Sequence, residues 1–109
     1  MNPFDITVVY VAFNYTKGGK VRPVLVIQDA EDVFIGFAIT SQYENKSAHI
    51  KNNYYEIKEW QKAGLIKPSW IDVKSKAIFE KKDLKITHII GQLTDADIVG
   101  LMNFFEIVI

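Results

Sequence analysis

Short apolar runs rich in β-branched residues recur along most of the chain, and each predicts a strand. Ile6 to Phe13 is the first. Asn14 to Val21 breaks the pattern with a Gly18-Gly19 pair between Lys17 and Lys20, which predicts a flexible cationic loop. Arg22 to Gln28 is the second strand. Pro23 fixes its own φ and biases Arg22 towards an extended backbone, and Val24 to Ile27 is an unbroken apolar run suited to a buried strand. Asp29 to Asp32 is a polar turn of hairpin length, followed by a third strand over Val33 to Ser41. So short a turn permits only antiparallel pairing, which brings Arg22 and Thr40 to the same end of the hairpin.

The second half is less regular. Gln42 to Asn53 is polar and reads as irregular, while Tyr54 to Ile57 predicts a short strand. Glu59 to Leu65 predicts a helical turn or two, stopped by Gly64. Trp70 to Lys74 alternates weakly as a fifth strand, Ala77 to Leu84 is ambiguous, and Lys85 to Leu93 supplies a sixth. From Thr94 the period changes. Thr94 and Asp97 stand at capping-box spacing, and Ile98, Leu101, Met102 and Phe105 follow at i, i+3, i+4 and i+7, one apolar face of a helix. The pattern predicts a single domain over residues 1–109. It is mainly β, a twisted or barrelled antiparallel sheet closed by one C-terminal helix.

Composition narrows the functional classes. Thirteen basic and thirteen acidic residues give a net charge of zero, so attraction to an anionic partner must come from local clustering. The absence of cysteine excludes disulfides, thiolate metal sites and cysteine nucleophiles. No apolar run has membrane-spanning length and the N-terminus has no secretory pattern, so a cytoplasmic protein with no membrane partner is expected. His49 and His88 show no metal-ligand spacing, and neither a nucleophile elbow nor a phosphate-binding P-loop is present. No metal and no cofactor are expected.

One residue stands apart. Arg22 is the only arginine; the twelve other cationic side chains are lysines. A guanidinium offers a planar fork of donors that an ammonium cannot imitate. It either pairs with a surface carboxylate and covers the end of a strand, or holds a phosphate. Lys17, Lys20 and Arg22 on one side of the hairpin mouth, with Thr40, Ser41 and Gln42 on the other, form a phosphate-friendly edge. The alternative for Thr40 to Gln42 is a strand end whose side chains cap its own backbone.

Several segments resemble the MazF/PemK-type toxins of bacterial toxin–antitoxin pairs, which act as mRNA interferases. They are Asp5 to Phe13, Gly19 to Ile27, Ala38 to Gln42, Trp60 with Ala63 to Leu65, Lys67 to Ser69, and Ile90 to Thr94 leading into the last helix. The resemblance implies an SH3-like, partly open barrel and a homodimer. It implies metal-independent cleavage of single-stranded RNA, in which the 2′-OH attacks its own phosphate, and a cognate antitoxin. It gives Arg22 and Thr40 the catalytic roles and makes Lys74 the candidate for the basic residue of the later strand; Lys17, Gly19, Lys20, Ser41, Gln42, His49 and Lys74 are expected on the RNA. Ser69 and Ile71 stand where some relatives carry an arginine and an aspartate, so the general base is unassigned. His49 is the titratable candidate in the neighbouring loop, or an ordinary surface residue. A non-catalytic module on the same fold, inhibiting a topoisomerase or binding RNA, is the competing reading, and a structural SH3-like module a third.

Overall fold

The computed structural model describes residues 1–12, 18–83 and 87–108; Lys17, named above as an RNA ligand, lies outside them. The strands are β1 (Asp5–Ala12), β2 (Gly19–Asp29), β3 (Val33–Thr40), β4 (Tyr54–Glu56), β5 (Trp70–Glu80) and β6 (Thr87–Gln92), with helices α1 (Ala48–Lys51) and α2 (Asp95–Val108). They form one antiparallel sheet in the order β4-β5-β3-β2-β1-β6, open between β4 and β6.

Alternation splits the apolar residues between two faces. On one, Ile6, Leu25, Ile39, Ile71 and Val73 meet Leu101 of α2, with Ile98, Phe104 and Phe105 packed against them. On the other, Val9, Val24, Val26 and Phe34 make a smaller cluster, and Phe79 stacks on Phe34 with ring centroids 4.9 Å apart. The two phenylalanines of the C-terminal tail therefore serve the core. Val99 and Met102 remain exposed on α2.

Three departures from the sequence pattern bear on function. β2 begins at Gly19 rather than Arg22, because β1 extends far enough to pair Ala12 with Gly19 and Val11 with Lys20. The ambiguous stretch after Lys74 continues β5 to Glu80, and Phe79 is its inward anchor. β5 also bulges away from β3: Ile39 pairs with Ile71 and Phe37 with Lys76, leaving 72–75 outside that ladder. Asp72 holds the bulge, accepting from the Lys74 backbone N–H at 3.1 Å and the Ser75 hydroxyl at 2.6 Å.

Candidate anion-binding site

The ladder between β2 and β3 ends at Val24 and Ala38. Beyond it β2 keeps company with β1, Arg22 opposite Val9, while β3 keeps company with β5, Thr40 opposite Trp70. Pro23, which has no N–H to offer a ladder, stands at the parting. The fork so formed opens a cavity of about 260 Å³. Lys20, Arg22 and Pro23 line it from β2, and Ile39 to Gln42 from β3 and its continuation.

A third wall comes from Leu65, Ile66, Lys67 and Ser69. This segment is seated by close backbone contact as well as by Leu65, which packs against the core. A Cβ on Gly64 would lie 2.2 Å from the Ile90 carbonyl oxygen, and one on Gly91 would lie 2.0 Å from that of Ala63. Gly64 also has φ 92°, a conformation that glycine alone adopts cheaply. Residues 58–64 form successive turns in place of the expected helix, with Leu65 N–H bonded to the Trp60 carbonyl at 3.0 Å. Gly64→Ala is expected to lower stability by about 1–3 kcal/mol through strain alone, read in a thermal melt. An unchanged melting temperature would show that this close approach does not hold the wall.

Lys20, Arg22 and Lys67 bring three cations to one cavity, and among the described residues none of them meets a carboxylate. By contrast Lys51, Lys58, Lys62, Lys81 and Lys82 are each paired with an acid. The surface-carboxylate reading of Arg22 thus finds no partner among the described residues. Thr40 Oγ1 accepts from the Gln42 N–H at 3.0 Å, so the strand end is capped as the plainer reading expected. A hydroxyl that accepts there still has its own hydrogen to donate. Ser69 is buried and donates to the Lys67 carbonyl at 2.9 Å, while its own carbonyl accepts from Ile57 N–H.

The structure therefore brings Lys20, Arg22, Thr40, Ser41 and Gln42 together, with Gly19 next to Lys20 at the start of β2. His49, exposed on α1, and Lys74, in the β5 bulge, are not among the lining residues. Lys67 is the residue that sequence reasoning missed. Its signal was a lysine before a proline in a polar loop, which gives no indication that the loop folds back beside β2. Cations, hydroxyls and an amide, with an apolar backing from Pro23 and Ile39, suit a phosphodiester. Among the described lining residues there is no carboxylate and no imidazole.

A family model described as the PemK-like, MazF-like toxin of type II toxin–antitoxin systems matches residues 5–108. No curated protein gives a significant match to the chain.

Proposed function

The chain belongs to the PemK-like, MazF-like toxins of type II toxin–antitoxin systems, and on that premise we propose that it is an endoribonuclease acting on single-stranded mRNA. The observation that carries this is the convergence of Lys20, Arg22 and Lys67, free of carboxylates among the described residues, on a cavity that also presents the Thr40 hydroxyl. In the proposed reaction the ribose 2′-oxygen attacks the adjacent phosphorus and the bond to the 5′-oxygen breaks. The products are a 2′,3′-cyclic phosphate and a 5′-OH. The Arg22 fork grips the non-bridging oxygens, the lysines offset the growing negative charge, and Thr40 donates one hydrogen bond. With neither carboxylate nor imidazole in the described lining, water takes the 2′-OH proton, and a proton returns to the leaving oxygen from Arg22 or water.

Because three side-chain cations match the charge that develops, cleavage is expected to proceed in excess EDTA and to leave cyclic phosphate ends. Loss of activity on chelation, or products ending in 3′-OH, would overturn this mechanism. The lack of a proton acceptor among the described lining residues also favours a second reading, a toxin that holds RNA without cutting it. The same assay identifies it, as RNA retained intact.

Membership in the family implies an antitoxin partner. We place the antitoxin's acidic, extended segment over the same cations, folding as it binds. A homodimer is part of the proposal: Val99 and Met102 are 60% and 52% exposed on α2, an apolar surface that a second copy would cover. No helix among the described residues is long and apolar enough to cross a membrane. The proposed substrate and partner put the protein in the bacterial cytoplasm.

A further inference from the structure

Beside the cavity lies a group of aromatic rings that phosphate binding leaves unused. Thr40 stands directly opposite Trp70 across the β3–β5 ladder, and Trp70 stands opposite Glu56 of β4. Paired residues share a face of the sheet, so Trp70 projects on the face of Thr40, while its neighbour Ile71 turns into the core. Tyr43, just beyond the Thr40–Gln42 wall, lies flat against Trp70, with ring centroids 4.6 Å apart and planes 6° from parallel. Tyr54 tilts against Tyr43 at 6.1 Å, and the Lys51 ammonium sits 4.9 Å from the centre of the Tyr43 ring. All three rings are half-buried and none belongs to either core cluster. Trp70 and the Lys51 ammonium both lie over the Tyr43 ring, so the half-buried Trp70 indole, backed by Tyr43, is the ring left to offer a face to another flat π-system.

We propose that Tyr43 and Trp70, with Tyr54 behind them, form a nucleobase subsite on which a base stacks next to the phosphate held at Arg22 and Thr40. The proposal rests on the RNA reading above and adds to it where a base goes. Directly opposed residues on a ladder have Cβ atoms about 5 Å apart, which brings Trp70 and Thr40 within reach of one nucleotide. Stacking accepts any base, so the subsite supplies affinity and registers the strand without dictating sequence. The competing account is purely structural, in which Tyr43 only ties the 41–47 segment to the sheet.

Binding to uncleavable 2′-O-methyl RNA and to an abasic strand of equal length, at one salt concentration, separates the two accounts. The unmodified protein is expected to prefer the base-bearing strand by roughly 5- to 100-fold, with a change in tryptophan fluorescence that the abasic strand does not give. Trp70→Ala should lose that preference while holding the abasic strand as before, Trp70→Phe should keep most of it, and Arg22→Ala should weaken both strands alike. Equal binding of the two strands by the unmodified protein, or a preference that survives Trp70→Ala, would overturn the subsite and leave the RNA reading standing. Failure to bind either strand would remove both. The comparison of strands on the unmodified protein needs no variant, so equal binding would overturn the subsite even if Trp70→Ala does not fold.

Discussion

Arg22→Lys is expected to cleave RNA nearly as poorly as Arg22→Ala, both roughly 100- to 1000-fold more slowly than the unmodified protein. Lysine keeps the charge but not the planar pair of donors that two phosphate oxygens require. Arg22 is exposed and its backbone pairs with Val9 in the ladder, which neither change alters, so neither should move the melting temperature. Thr40→Ala should slow cleavage less, since a neutral hydrogen bond contributes about 0.5–1.5 kcal/mol. It also frees the Gln42 N–H, which now donates to Thr40 Oγ1, so some of its effect will come from a looser wall. The measurement is single-turnover cleavage beside a thermal melt for each variant. If Arg22→Ala cleaves normally, or loses activity only by melting, the arginine is structural and the site assignment fails.

The largest effect on stability is expected at Asp97, which is completely buried near the start of α2. One carboxylate oxygen accepts from the Tyr55 hydroxyl at 2.7 Å and the Lys58 N–H at 2.9 Å; the other accepts from the Glu59 N–H at 2.9 Å. Asp97→Ala strands three donors inside the protein. At about 1–3 kcal/mol for each unsatisfied group, discounted because they share one site, the loss should be about 3–5 kcal/mol. For a domain of this size that is on the order of 15 °C in melting temperature. Asp97→Asn should recover only part, since its amide nitrogen would face N–H donors. A variant that melts within a few degrees of the unmodified protein would show that water replaces the carboxylate.

The same network sets an alkaline limit. Burial first, and then the hydrogen bond to Asp97, hold the Tyr55 hydroxyl well above its ordinary value of 10.0. The neutral phenol is thus favoured in the folded state. Its contribution is complete below the unfolded value and is lost as pH rises from there towards the folded one.

The link from Asp97 to the site is mechanical. Asp97 fixes the backbone at Lys58 and Glu59, the start of the turns that end at Gly64 and deliver Lys67 to the cavity. Thr94 strengthens the same joint by donating to Glu59 at 2.6 Å. A destabilised Asp97 variant should therefore lose binding at lower temperature than it loses the sheet.

Strand identity was legible because its causes are local. β-branched runs, the Asp29–Asp32 turn and Pro23 act within a few residues, and the placing of Arg22 and Thr40 at the same end of the hairpin follows from hairpin geometry alone. The cationic, hydroxyl-bearing edge was legible for the same reason. What lay beyond reach depended on segments distant in the chain. The spacing of Thr94 and Asp97 predicted a capping box, and the Asp97 N–H does reach Thr94 Oγ1 at 3.4 Å. The carboxylate, however, turns to Tyr55, Lys58 and Glu59, because three donors that no local rule could supply outbid one cap. Likewise a pattern of apolar positions cannot show that β2 and β3 part after Val24, since each outer strand end follows a different partner. By itself the sequence determined which cationic and hydroxyl-bearing side chains stand at the mouth of the hairpin. Only the tertiary structure brought Lys67 beside them, through the contact of Gly64 with Gly91 that leaves no room for a side chain.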